Sequence, residues 1–472
     1  MSSILTSDLH TKYTISFYQQ LTCNAQFQMI KRILFLTFIL FLSVYKLFAT
    51  DISVLDTANF EQRKLIAKDI ELRNKQHIAL LGKTYKGNEL KYAMPIYTRV
   101  NKYINESILK GDYIFYGLFD SIINQTHTRL LQANDILSSD SRYFVSRDIS
   151  LNAMSMFFDT YVINLGTFFY MKSIDGFAAI VAHEHAHNYL KHQVQSIKND
   201  YNVNKNVARS AFNELAKQKY GRGTKALDKY KSLMYSNGKI NRQHEFEADS
   251  LGYIFYKNAG YNADEYLNSF RLMLRYDTIK GGDLDTAIYR KMFDLPQQPF
   301  KNEWMKIEDF SGYNYTKIAD KLHRDSIKSH PELDERIDNL IRLFPELANT
   351  KQMDSVHVDV AYTNVRRTAF YELFQSLDIG EDYGFGVYAC LSELADAEHY
   401  TDEQNKFYRY WLGKYFSKIY QARKNYTLNR SLDKVDPKEH SLGYQQFLSF
   451  MWNLKLSEIE AIAKHYSSSA LE

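Results

Sequence analysis

Three side chains within five residues carry the strongest chemical signal in this 472-residue chain. In the segment Asp175–Leu190 (DGFAAIVAHEHAHNYL), Phe177, Ile180, Val181 and Leu190 recur at helical spacing behind Asp175, a good N-cap residue. On such a helix His183 and His187 stand one turn apart on the same side. Two imidazoles so placed can both reach one zinc ion at about 2.0–2.1 Å. Glu184 then lies beside the ion without ligating it, placed to take a proton from an activated water. His185 points away from that face, and an exposed position or one behind the ligands is expected for it.

A catalytic zinc needs a third protein ligand and an open position. About sixty residues downstream stands Gln243-His244-Glu245-Phe246-Glu247-Ala248-Asp249. HExxH followed at this distance by E-x-E-A-D resembles the zinc endopeptidases of the type I CAAX prenyl protease, HtpX and BepA group, which are gluzincins. The resemblance implies one zinc ion with Glu245 as its third ligand, and Asp249 as the partner that orients a ligating histidine. Glu245 and Asp249 are four residues apart and share a helical face, and a carboxylate-to-histidine hydrogen bond fixes the ring tautomer.

Asn152-Ala153 and the strand Thr160–Leu165, ending at Gly166, are similar to the family's strand segment. The likeness implies that this strand runs beside the active-site helix and offers an edge to an extended peptide. The chain departs from the pattern at Phe158-Asp159, where the family usually has two glycines, and a bulky Phe158 is expected to narrow the cleft. Ser329-His330-Pro331-Glu332-Leu333-Asp334-Glu335-Arg336-Ile337 resembles the family's His-Pro…Arg-Ile element. By that likeness His330 and Arg336 are catalytic groups facing the substrate, able to donate hydrogen bonds to an oxyanion. In some relatives the histidine instead occupies the open zinc position and holds the enzyme off, and both roles stay open for His330.

The elements that must position these groups follow from the rest of the chain. Helical spacing runs from Asn59 to about Lys91 and again after Pro95, through Ile96, Val100, Tyr103 and Ile104. Strand-like runs follow at Tyr113–Tyr116, Tyr143–Val145 and Thr160–Leu165, and from Asp175 the helical period dominates. The expected fold class is therefore α+β and predominantly helical. The resemblance adds that residues 50–345 form a gluzincin-type core, with a small sheet beside the HExxH helix. The resemblance spans roughly residues 90–345. Beyond it, residues 350–472 read as an all-helical region with segments near 363–376, 386–397, 403–424 and 441–466. Trp411-Leu412-Gly413-Lys414-Tyr415-Phe416 gives that region a faint tetratricopeptide-like character, without a second copy at that repeat's period.

Composition narrows the classes further. Gly and Pro number only 19 and 6, which excludes collagen-like and broadly disordered chains. Residues 29–49 (MIKRILFLTFILFLSVYKLFA) have a basic start, a short apolar run and a small residue at a cut site, as in a secretory signal peptide. Residues 1–49 thus read as a leader, with Met29 a natural start, and an uncleaved anchor is the competing reading. The leader holds Lys12, Lys31, Arg32 and Lys46 against Asp8, so most of the net charge of +4 belongs to it. No nucleic-acid partner is implied by what remains. Residues 191–243 are locally basic, with 12 Lys/Arg against 3 Asp/Glu, read as a solvated helical hairpin or as a basic flap over acidic ligands. Of two cysteines, Cys390 sits in an apolar stretch that suits a buried, inert thiol.

Together these readings lead to an exported, periplasmic or extracellular zinc endopeptidase acting on polypeptides, among them misfolded or envelope proteins. Membrane association would come only through the N-terminus, and the C-terminal helices are candidates for binding protein partners. The alternative is a zinc-stabilised, chaperone-like binding protein with a closed, rarely active site.

Overall fold

The computed structural model describes residues 60–135, 137–203, 238–276, 284–307, 333–350, 360–395, 399–436 and 440–469. Two long helices come first, α1 (Phe60–Thr84) and α2 (Gly87–Lys110). Pro95 falls inside α2, so the break expected there lies earlier, at Tyr85–Lys86, where Gly87 takes a left-handed φ of 51°. The buried stripe of α2 is Ala93, Ile96, Tyr97, Val100, Ile104 and Ile108, a helical period that packs against α1.

The sheet is mixed, with strand order β1-β2-β4-β3 for β1 (Tyr113–Ile114), β2 (Arg142–Ser146), β3 (Ala153–Met156) and β4 (Thr160–Asn164). β2 and β4 run parallel, in the register Phe144↔Val162, while β1 and β3 are antiparallel to their neighbours. Successive side chains on a strand face opposite ways, and here both faces are buried. Tyr113, Phe144, Met156 and Val162 join the cluster of α1 and α2, whereas Ile114, Val145, Ala153 and Ile163 join the core around the active-site helix. Two differences from the sequence reading matter for function. β3 was absent from it, because Ala-Met-Ser-Met carries no β-branched residue. β4 has neighbours on both sides, so among the described residues the edge strands are β1 and β3, and the one beside the HExxH helix is β3 and not the strand Thr160–Leu165.

Helices α3 (Gly117–Ala133) and α4 (Leu165–Tyr170) flank the sheet, and α5 (Ile174–Tyr189) packs on β3, on α3 and on the later helix at Gly238–Asn258. Then come α6 (His192–Val203), α7 (Gly238–Asn258), α8 (Ala263–Tyr276), α9 (Ala287–Phe293) and α10 (Leu333–Leu343). Most of the basic segment 191–243 lies outside the described residues. The C-terminal part is helical: α11 (Val360–Ile379), α12 (Tyr383–Ala395), α13 (Asp402–Lys424), α14 (Leu442–Asn453) and α15 (Leu456–Ser469). The last expected segment is thus two helices, and Glu458 Oε2 accepts from the Lys455 N–H (2.7 Å) at the break. Cys390 is fully buried among these helices. Tyr289, Phe293 and Trp304, which precede α10 in the chain, pack with the C-terminal cluster around Phe450. No described helix is long and apolar enough to cross a membrane.

Candidate metal centre

The site is organised by α5, whose residues Gly176–Ala186 are all buried. Its N-cap is Ser173, whose Oγ accepts from the Gly176 N–H (3.0 Å), rather than Asp175. Asp175 lies in the first turn, and its Oδ2 accepts from the Asn262 N–H (2.9 Å), which joins α5 to the start of α8. α7 lies against α5 at Gly252, where a Cβ would come 2.9 Å from His183 Cα and 2.8 Å from the Tyr266 hydroxyl oxygen. Only glycine permits that approach, and it carries Glu245 and Asp249 on α7 up to the two histidines of α5.

His183 Nε2 and His187 Nε2 are 3.0 Å apart, and they lie 3.6 and 3.4 Å from the Glu245 carboxylate oxygens. Two tetrahedral ligands at about 2.0–2.1 Å from a common zinc stand roughly 3.4 Å from each other. The donor set therefore fits one zinc ion, and it is the one such group of His, Cys, Asp and Glu among the described residues. Burial would lower the His187 pKa, but the facing Glu245 carboxylate outweighs it and raises it. A cation between these groups would relieve the same unbalanced field.

The two histidines are backed differently, His183 by a carboxylate and His187 by another imidazole. His183 Nδ1 lies 2.9 Å from Asp249 Oδ1, which leaves Nε2 to face the donor set. Burial would raise Asp249, yet the Arg336 guanidinium and the His183 hydrogen bond hold it below the ordinary carboxylate range. His187 Nδ1 instead meets His192 Nδ1 (2.9 Å), and His192 Nε2 meets Glu247 Oε2 (3.1 Å). Burial, followed by the adjacent His187 and His244 rings, brings His192 down to about 2.

Arg336 corrects the reading of its role. Only 2% exposed, it donates to both Asp249 oxygens (2.8 and 2.6 Å) and lies 2.8 Å from Glu245 Oε2. A guanidinium committed to two buried carboxylates stands behind the ligands and does not face substrate; it offsets their charge. His330 lies outside the described residues.

Glu184 is 6% exposed, its Oε1 is 4.0 Å from His183 Nε2, and its Oε2 accepts from the Ser155 N–H of β3 (2.5 Å). The carboxylate is thus fixed between the donor set and the edge strand β3. His185 is not exposed: it is buried at 2%, with Tyr143 and Tyr161 hydroxyls at 2.7 and 3.0 Å from its ring nitrogens. Burial, then nearby His127, brings its pKa down to about 3, so it packs as a neutral ring under the helix.

The Phe158-Asp159 departure keeps a glycine-like backbone. Both residues are left-handed, with φ of 58° and 51°, in the turn joining β3 to β4. Asp159 Oδ1 accepts from Asn188 Nδ2 (2.6 Å), and Phe158 packs on His77 and Tyr97 of the α1/α2 layer. The aromatic ring is therefore part of a core cluster rather than a wall added to the cleft.

Ser155 and His192 were missed by the sequence reading. Ser155 sits in the overlooked strand. His192 is five residues after His187, off its helical face; Lys191, with a left-handed φ of 58°, turns the chain so that α6 starts with the ring against His187. No periodicity signals such a contact.

No curated protein gives a match to this chain. Residues 121–343, which hold the donor set, Glu184, Asp249 and Arg336, match the model of peptidase family M48. Those residues therefore carry a domain of that family, whose members are zinc metallopeptidases.

Proposed function

We propose that this protein is a zinc endopeptidase that cuts polypeptides lying along the edge of β3. The observation that carries the reading is the hydrogen bond from the Ser155 N–H to Glu184 Oε2, beside the His183–His187–Glu245 set. A peptide added to that edge by strand pairing passes the carboxylate with an internal bond, because neither end of an extended chain needs to be held. His183, His187 and Glu245 would hold the zinc, which when bound supplies Lewis acidity to the scissile carbonyl and to water. Glu184 accepts the proton of the attacking water and passes it to the leaving amine. Asp249 and Arg336 keep His183 and Glu245 oriented and their charges balanced. Export and envelope substrates rest on the signal-like segment 29–49.

The test is digestion of an unfolded protein such as casein by the zinc-loaded parent and by Glu184→Gln, with products read by mass. Internal cleavage by the parent and a loss of at least about 10²-fold in the variant, which keeps its zinc, are expected. Release of terminal residues alone would overturn the endopeptidase assignment. Sequencing the mature N-terminus from cells checks export, with a first residue near Thr50 expected.

A further inference from the structure

The two histidines of the donor set are supported in different ways, and the second support reaches the protein surface. His183 is held directly by the buried carboxylate of Asp249. His187 has no carboxylate at Nδ1; its partner there is the ring of His192, 3% exposed. A contact of 2.9 Å between two ring nitrogens requires one to donate and the other to accept. If Nε2 of His187 is to offer its lone pair to a metal, its proton must be on Nδ1, and His192 Nδ1 must accept it. The proton of His192 then stands on Nε2, where Glu247 Oε2 receives it at 3.1 Å. Glu247 is itself held by Gln243, whose Nε2 donates to Oε1 (2.8 Å), and its side chain is 40% exposed. His244 stacks on His192 at 4.1 Å and 12° and bonds Gln195, which fixes the plane of the ring without entering the chain of protons.

We infer that His192 and Glu247 are positioning residues that set the tautomer and orientation of His187, and through it the affinity for zinc. This rests on the reading that His183, His187 and Glu245 hold the ion. A histidine whose outer nitrogen lacks a proton acceptor can take the other tautomer or swing about its side-chain bonds, and loss of such outer partners commonly weakens metal affinity by about 10–100-fold. Glu247 thereby has a function distinct from that of Glu245 two residues earlier, although the two sit in one motif.

The experiment is zinc affinity of the full chain by competition with a chromogenic chelator. The set comprises the parent, His187→Ala, His192→Phe, His192→Asn, Glu247→Ala and the double variant His192→Phe/Glu247→Ala. An asparagine amide oxygen sits near the place of histidine Nδ1, so His192→Asn keeps the acceptor for His187 and should stay within about 5-fold of the parent. His192→Phe should bind about 10–100-fold more weakly. Glu247→Ala should weaken binding less, and the double variant should be no worse than His192→Phe, since the two act through one contact. An affinity for His192→Phe within 3-fold of the parent overturns the inference. So does equal loss in His192→Asn and His192→Phe, or a full additional loss from Glu247→Ala in the double variant. If His192→Phe does not fold, the asparagine and the half-exposed Glu247 variants decide alone: a loss above 5-fold in His192→Asn, or none in Glu247→Ala, refutes it. An unchanged affinity in His187→Ala would instead refute the underlying zinc assignment.

Discussion

Replacing Gly252 by alanine offers a sharp test of how the site is built, because two effects of known size oppose each other. In an unhindered helix, glycine to alanine stabilises by about 1 kcal/mol. At position 252 the added Cβ would meet His183 Cα at 2.9 Å, His183 N at 3.1 Å and the Tyr266 hydroxyl at 2.8 Å. Ordinary carbon–carbon contact begins near 3.5 Å, so α5 and α7 must part by about 0.6 Å. Two of the three obstacles are backbone atoms, which cannot rotate away. The third donates a hydrogen bond to the Asp249 carbonyl (2.8 Å), so its displacement adds a loss. Overpacking of this kind costs about 1–3 kcal/mol and outweighs the helix gain. Moreover, a separation of about 0.6 Å exceeds the roughly 0.5 Å within which a metal constellation must be held. Gly252→Ala is therefore expected to be less stable than the parent by about 1–2 kcal/mol in urea unfolding, and to bind zinc at least about 10-fold more weakly. Gly82→Ala in α1 is the matched control: its Cβ meets only Leu90 Cδ2, at 3.9 Å, so it should stabilise by about 0.5–1 kcal/mol. If both substitutions stabilise alike and zinc affinity is unchanged, the close approach of α7 to α5 is not what assembles the site.

Other expectations follow from particular contacts. Arg147 and Glu372 form a buried ion pair between β2's end and α11, so Arg147→Ala should cost about 3–5 kcal/mol in denaturant unfolding. A joint Arg147→Met/Glu372→Leu replacement should recover most of that loss, and a loss below about 1 kcal/mol in the single variant would contradict the burial. Asp159 holds a left-handed backbone, so Asp159→Val should cost about 1–2 kcal/mol while Asp159→Asn stays near neutral. Equal stability of the two would refute strain at that turn. Burial pushes the Cys390 thiol well above its ordinary range, so iodoacetamide should label the Cys390 peptide only after unfolding. Rapid labelling of the native protein, read by mass spectrometry, would contradict this.

The donor set was readable from sequence because helical spacing is a local property. His183 and His187 four apart, and Glu245 and Asp249 four apart, must each share a face once a helix forms. That the two helices meet was carried by resemblance, and the physical reason, Gly252 against His183, became visible only with the fold. Arg336 shows the limit. It is 87 residues from Asp249 in sequence, and its type alone suits an oxyanion donor as well as a buried counter-charge. Its neighbours decided in favour of the second. β3 escaped because short edge strands carry little β-branched signal, and the register with β4 depends on a turn whose left-handed residues are not glycine. His192 escaped because its contact is made across a change of helix at Lys191.

The pairing of Arg147 with Glu372 also bears on how the chain can be divided. Tyr362, Val365 and Ala369 of the same helix, α11, belong to the core that surrounds α5. A truncation placed near residue 350, where the family match has already ended, would remove these side chains and leave the Arg147 guanidinium stranded in the interior. The peptidase portion is thus not a module that can be excised and transplanted. Its last structural support comes from residues that follow every catalytic group in the chain, so a copy cut after residue 350 is expected to unfold at lower denaturant than the full chain.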